Sequence, residues 1–230
     1  FQQKFAKPKA EVADWSSDGE KISLLDLVKD SKGKSVSATL KTTGEKVILA
    51  GMEKMSKSKN NGVDPQSLIN EYGADTSRLY TMFASPPEQT LEWREDGVNG
   101  ALKFLRRLWK YYVENALGTT QTVDLEAMSK EQKDLYRKTN ETIKKVTDDY
   151  ERRHSFNTAI AAVMELINAV AKQPSMDSNG DRWVIKHALD SAVLLLSPVV
   201  PHICQELWRL SGHTQLIVDA DWPVCDEKSL

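Results

Sequence analysis

The chain has 230 residues, 40% of them hydrophobic and 28% charged, the balance of an ordinary globular protein rather than a disordered chain. At roughly 100–200 residues per domain, this length allows two or three modest units around at least one real core. Lysine plus arginine count 31 against 33 aspartate plus glutamate, a net charge of −2, so any nucleic-acid contact needs a local basic patch. The longest nearly unbroken apolar stretch, Ala192 to Cys204, carries Ser197, two prolines and His202. It is too short and too interrupted to span a bilayer, and no membrane role is expected. No charged-then-apolar leader is read at the start, so no secretory signal is expected, and Phe1 in first place suggests a segment of something longer.

The elements read in chain order as follows. The first dozen residues, with Lys4, Lys7, Pro8 and Lys9, look poorly structured on their own. Residues 15–50 are rich in Gly, Ser, Thr, Lys and Asp, with turn pairs at Asp18-Gly19, Lys32-Gly33 and Thr43-Gly44. Three strands of roughly five to eight residues between those turns make a small β-containing module. Asp64-Pro65 offers an N-cap followed by proline at the first helical position, and Gly73 ends that short helix. Asp75 is predicted to cap the next, which stops before Ser85-Pro86-Pro87.

From Pro87 to Pro174 there is no proline, and after Gly100 that stretch has only Gly118, a composition for long helices. Asp96 is read as the cap of a helix reaching about Ala116, with Val98, Ala101, Leu105, Leu108, Trp109, Tyr112 and Ala116 on its apolar face. Ser129 and Gln132 form a capping box for a second helix bearing Leu135, Ile143, Val146 and Tyr150. A third starts near Asn157 and aligns Ile160, Val163, Met164, Ile167 and Ala171. A fourth begins at Asp181 with two adjacent stripes, Val184/Ala188/Ala192/Leu195 and Ile185/Leu189/Val193/Leu196. A helix apolar over so much of its circumference is surrounded by neighbours. Pro198 and Pro201 break it, and Ile203, Leu207 and Leu210 continue in a further short helix. The fold class is mainly α, a helical bundle preceded by a small β-containing module.

Neither the cysteines nor the histidines offer a metal site. Cys204 and Cys225 form no disulfide framework or zinc spacing, Cys204 reads as core filler, and a reducing, cytoplasmic compartment fits. His154, His187, His202 and His213 never fall into metal-ligand spacing and are read as structural.

Two basic clusters carry the chemistry. Lys54-Met55-Ser56-Lys57-Ser58-Lys59 places three lysines within six residues, alternating with small hydroxyls. Mobile ammonium groups and hydroxyl donors on one loop suit a polyphosphate; a solvated basic turn, a localisation signal or a phosphorylation patch are the plainer readings. Lys103, Arg106, Arg107 and Lys110 fall at i, i+3, i+4 and i+7, opposite Leu105, Leu108, Trp109 and Tyr112 on the same helix. With no carboxylate interleaved, this stripe is either a solvated face or a contact for an anionic partner. The basic residues of the second helix are diluted by acids and read as a salt-laced solvent face. Trp93, Trp109, Trp183 and Trp208 read as core or interface anchors rather than base-stacking platforms.

The string Gly51-Met52-Glu53-Lys54-Met55-Ser56-Lys57-Ser58-Lys59-Asn60-Asn61-Gly62-Val63-Asp64-Pro65 resembles the second signature loop of the class I aminoacyl-tRNA synthetases. Its Lys-Asn-Asn-Gly continuation resembles the bacterial leucyl type rather than the isoleucyl or valyl types. The stretches Tyr72-Gly73-Ala74-Asp75-Thr76-Ser77-Arg78-Leu79-Tyr80, Phe83-Ala84-Ser85-Pro86, Leu91-Glu92-Trp93, Pro198-Val199-Val200-Pro201-His202-Ile203 and Asp221-Trp222-Pro223 resemble the same family. The resemblance implies a leucine-specific insertion over residues 1–50, the signature loop and stem-contact region over 51–96, an α-helical anticodon-binding domain over 97–213, and a connector over 214–230. It implies ATP as substrate with Mg2+ accompanying it, leucine and tRNA(Leu) as partners, and a monomer. Lys57 is then the ATP-contacting lysine, Lys54 anchors or assists, Ser56 and Ser58 donate hydrogen bonds or shape the loop, and Met55 packs as a hinge pin. The stripe Lys103, Arg106, Arg107 and Lys110 becomes a tRNA-phosphate contact. The family's His-x-Gly-His element and most of its nucleotide-binding fold are missing from these residues, so the chain alone is expected to be inactive. The alternatives are a stand-alone RNA-binding helical module, the equivalent part of an isoleucyl or valyl enzyme, and a purely structural bundle.

Overall fold

The computed structural model describes residues 2–3, 25–29, 35–40, 46–47, 53–56, 62–117, 121, 123–173 and 178–230, with the backbone alone up to residue 53. By its contacts the chain divides into two compact units, Phe1–Asp64 with Leu91–Trp93, and Pro65–Thr90 with Arg94–Leu230. The predicted turn pairs at Asp18-Gly19, Lys32-Gly33 and Thr43-Gly44 lie outside the described residues.

The first unit holds the strands. β1 (Gln2–Gln3) pairs antiparallel with β5 (Glu53–Lys54), Gln2 opposite Lys54. Thus Gln2 and Gln3, in a stretch read as poorly structured on its own, are ordered by a partner far along the chain. β2 (Leu25–Lys29), β3 (Ser35–Leu40) and β4 (Lys46–Val47) form an antiparallel meander in that order. Of the third strand, Lys46–Val47 are described. A register irregularity falls between Val28 and Lys29.

The second unit is helical. α1 (Pro65–Tyr72) begins at its proline and ends just before Gly73. Gly73 adopts φ 85°, a left-handed conformation that favours glycine, and serves as N-cap of α2 (Ala74–Ala84). Asp75 therefore does not cap α2 as predicted; it lies inside the first turn, and its side chain is used elsewhere. α3 (Glu95–Asn115) likewise starts from Arg94 rather than Asp96, whose carboxylate pairs with the Arg94 guanidinium at 3.0 Å.

α4 (Lys130–Asp148) starts at the predicted capping box, with the Gln132 N–H donating to Ser129 Oγ and the Ser129 N–H to Gln132 Oε1. It runs into a wide turn over Asp149–Arg153, where the buried Asp149 carboxylate accepts from Lys145 and Thr158. α5 (Phe156–Val170) follows. α6 (Asn179–Leu196) starts two residues earlier than predicted, because Ser178 and Asp181 form a second capping box with aspartate in place of glutamate. Gln132 Nε2 also donates to Asp181 Oδ1 at 2.8 Å, so the two boxes hold each other. α7 (Pro201–Leu210) closes the series.

α4, α5 and α6 pack mutually, α3 lies on α6 and α7, and α2 touches α3, α5 and α7. Both predicted stripes of α6 are buried, as are Ile160, Val163, Leu166 and Ile167 of α5. Each fully buried Leu or Ile contributes roughly 1.5–3 kcal/mol over an exposed one. Cys204 is core, as read, and burial pushes its thiol well above the ordinary range. No helix among the described residues is long and apolar enough to cross a membrane.

Candidate nucleic-acid interface

α3 has two faces of opposite character. Val98, Ala101, Phe104, Leu105, Leu108 and Tyr112 are buried against the bundle. Tyr112 is fully buried; its hydroxyl donates to Asp190 Oδ1 at 2.7 Å, and burial beside that carboxylate pushes its pKa far up. Lys186, paired with Asp190 at 3.0 Å, also donates to the Ala116 carbonyl, placing a cation at the helix C-terminus. On the opposite side Lys103, Arg106, Arg107 and Lys110 are all exposed. Lys110 lies 3.9 Å from Glu114, and the Arg107 guanidinium sits 5.8 Å from the Phe104 ring centroid. Among the described residues no carboxylate forms an ion pair with Lys103, Arg106 or Arg107. Between Asp96 and Glu114 the helix carries no acid at all.

One position departs from the sequence reading. Trp109, placed on the apolar face and read as a core or interface anchor, is 38% exposed. At 100° per residue it stands on the border between the packing face and the cationic one, while Phe104, left out of the predicted stripe, is buried at the other edge of the packing face. Trp109 and Arg106 line an open cleft of about 510 Å³ with Tyr72, Asp75, Leu105 and His202.

That cleft is held in shape by charges from α2. Asp75 Oδ2 accepts the Ile203 N–H at 2.7 Å, and Asp75 Oδ1 lies 2.7 Å from His202 Nδ1. The carboxylate so caps the first turn of α7, which has no side-chain cap of its own. One turn along α2, Arg78 donates to the carbonyls of Val199 and Pro198 at 2.8 and 2.9 Å. Two stretches that the sequence offers separately, Gly73-Ala74-Asp75-Thr76-Ser77-Arg78 and Pro198-Val199-Val200-Pro201-His202-Ile203, are two halves of one joint. Nothing in local spacing links residues about 120 positions apart, so the reading could not join them.

Two other histidines are packed on tryptophan rings, while His154 is exposed. His187 stacks on Trp183 with ring centroids 5.1 Å apart, and burial lowers its pKa. His213 stacks on the buried Trp208. The last residues also lie on the bundle: Trp222 donates to Thr147 at 2.8 Å, and the Asp226 N–H donates to Asn140 Oδ1 at 2.8 Å.

In the lysine stretch, Lys54 is the exposed end of β5, and Met55 and Ser56 are half-buried. Lys57 and Ser58 lie outside the described residues. No group of three or more His, Cys, Asp or Glu among the described residues is placed to hold a metal ion.

Two family models match the chain. Residues 27–94 match the class I tRNA synthetases (I, L, M and V), and residues 132–230 match the anticodon-binding domain of tRNA ligase. α3 falls between the two matched segments. A leucine–tRNA ligase of Marinobacter nauticus is 56% identical over 203 residues, 88% of this chain and 24% of that protein. One from Chromohalobacter salexigens is 50% identical over 218 residues, 94% of this chain and 25% of that protein. The chain thus spans about a quarter of the length of the curated relatives it matches. Among solved structures, the LeuRS of Agrobacterium radiobacter K84, in its ternary complex with tRNA and LeuAMS, superposes with TM-score 0.67 at 31% identity, over 77% of this chain and 23% of that one. The free-state methionyl-tRNA synthetase of Mycobacterium tuberculosis, at 16% identity and TM-score 0.51 over 66% of this chain and 35% of that one, shares the fold alone. With the lysine signature, the Asp75/Arg78 joint and the bundle in one chain, these likenesses show that it belongs to the class I aminoacyl-tRNA synthetases, as a segment of the bacterial leucyl type.

Proposed function

We propose that this chain is the part of a leucine–tRNA ligase that supplies the ATP-phosphate loop and the tRNA-binding helices. The supporting observation is the pairing, in one chain, of the Lys54–Ser58 signature with a helix whose outer face carries Lys103, Arg106, Arg107 and Lys110 without an intervening acid. Residues 1–50 would be the leucine-specific insertion, 51–96 the loop and stem-contact region, 97–213 the anticodon-binding domain and 214–230 a connector. The reaction joins leucine and ATP into leucyl-adenylate and pyrophosphate, then passes the leucyl group to the terminal adenosine of tRNA(Leu).

Negative charge accumulates on the α-phosphate and the leaving pyrophosphate, so a lysine that engages there lowers the barrier. Lys57 takes that role. Lys54, at the end of β5, fixes the start of the loop; Ser56 and Ser58 donate to phosphate oxygens, and Met55 seats the loop. Magnesium arrives on the ATP phosphates rather than on a protein site among these residues. The stripe on α3 holds tRNA phosphates, which positions the RNA without reading its sequence. The enzyme works as a monomer in the cytoplasm, and this chain alone is inactive.

The test is pyrophosphate exchange in the complete protein. Lys57→Ala should slow it by two orders of magnitude or more, a transition-state loss of about 3 kcal/mol, with the fold intact. Unchanged exchange in that variant removes Lys57 from the mechanism.

A further inference from the structure

Resting on the tRNA reading above, we infer that the cleft between α2, α3 and α7 holds one unpaired nucleotide of the bound RNA, its base stacked on Trp109. The packing face of α3 has no need of this ring: Phe104, Leu105 and Leu108 fill it, and Trp109 is left 38% exposed. A large aromatic ring at the wall of an open cleft is a platform for another flat ring. The volume of about 510 Å³ falls within the range of roughly 300–1,000 Å³ occupied by small-ligand sites.

The polar groups around the ring choose the occupant. Arg106 lines the cleft one turn before Trp109, and Lys103, Arg107 and Lys110 continue the positive charge along the outer face. Asp75, the carboxylate on the cleft wall, is largely buried, and its two oxygens are bonded to the Ile203 N–H and to His202 at the start of α7. Its bond to Nδ1 also fixes the His202 ring. That ring is 74% exposed, and its Nε2 faces away from Asp75, available to a base edge or a phosphate oxygen. An apolar floor, an aromatic wall, a fixed imidazole and a one-sided cationic rim fit a nucleobase on a phosphate chain. A segment of protein covering the same cleft would need acidic side chains to match that rim.

The experiment measures tRNA(Leu) transcript binding to the complete ligase at moderate and varied salt, for the wild type, Trp109→Ala, Trp109→Phe and Lys103→Glu/Arg107→Glu. Loss of one stacked base should weaken binding about tenfold to a hundredfold in Trp109→Ala, and Trp109→Phe should stay within about threefold of wild type. Trp109→Ala should leave the salt slope unchanged, because it removes no phosphate contact, whereas the double charge reversal should flatten it. A transcript substituted with 4-thiouridine should photocrosslink to the segment from Leu102 to Trp109. Wild-type affinity in Trp109→Ala, beside a weakened charge-reversal variant, overturns the stacking site and leaves the proposed function standing. Failure of the wild type to bind tRNA(Leu) overturns both. A lowered melting temperature in Trp109→Ala with no crosslink to that segment marks a cleft covered by another part of the protein, and overturns the inference.

Discussion

The α4–α5–α6 bundle is built around apolar side chains, with Ile160, Val163, Leu166, Ile167, Leu189, Leu195 and Leu196 all fully buried. The joint between α2 and α7 is built differently: Asp75 and Arg78 reach from one helix to the backbone of a turn and the first coil of another. Carbon packing is non-directional and tolerates small shifts, whereas hydrogen bonds of 2.7–2.9 Å fix one relative position. The bundle therefore supplies stability. The joint supplies geometry, and it is the joint that shapes the cleft beside the cationic face of α3.

The largest expected effect lies in the bundle. Leu189 is completely buried, so Leu189→Ala should cost roughly 2–5 kcal/mol in urea denaturation. A loss under 1 kcal/mol would mean that α6 is not enclosed by its neighbours. In the joint, Asp75→Ala strips the Ile203 N–H and His202 of their partner and should cost about 2 kcal/mol. Asp75→Asn should recover part of it, since an amide oxygen still accepts the N–H. If both variants are as stable as wild type, the joint does not hold the helices.

Two glycines of α3 sharpen the contrast from the other side. A methyl group on Gly97 would meet the Tyr80 ring at 2.6 Å, and the buried Tyr80 hydroxyl accepts the Arg94 N–H at 2.8 Å, so the ring is held in place. Gly97→Ala should destabilise by about 1 kcal/mol or more. At Gly100 nothing lies within 4 Å, and Gly100→Ala should stabilise by roughly 0.5–1 kcal/mol through helix propensity alone. Equal signs for the two would show that α2 does not press on the start of α3.

The smallest effect is a pH dependence. Burial holds the His187 imidazole below its ordinary value of 6.5. Above that pH the residue is neutral folded and unfolded, and its contribution is whole. As pH falls below it, the unfolded chain takes up a proton that the folded chain refuses, and stability declines until the folded-state value is passed. Stability should drop as the pH falls through 6.5, less so in His187→Leu. An identical slope in that variant would place the titration elsewhere.

Periodicity made the bundle legible: both stripes of α6 and the box at Ser129 stand where spacing alone puts them. Ile160, Val163 and Ile167 of α5 are buried as read, whereas Met164 is half-buried and Ala171 is exposed past the end of the helix. What escaped was set by residues distant in sequence. Asp75 was read as a local cap because a carboxylate at a helix start usually is one, but its partners lie more than 120 positions away. Ser178 was missed because its box closes with aspartate. Trp109 stands at the edge of its stripe, and the buried arc extends instead to Phe104 on the other side. At the candidate site, Lys103, Arg106, Arg107 and Lys110 are exposed as spacing predicts, while the cleft beside them needs three helices to form and leaves no trace in any one segment.

The central claim, that α3 turns its packing face to the bundle and its cationic face to tRNA, is tested most directly by the salt dependence of tRNA(Leu) binding to the complete ligase. Replacing Lys103 and Arg107 by Glu should weaken binding and lower the slope of log affinity against log salt by about one for each lost phosphate contact. Pyrophosphate exchange should stay near normal and the melting temperature should hardly move. An unaltered affinity and an unaltered slope would show that the stripe faces only water.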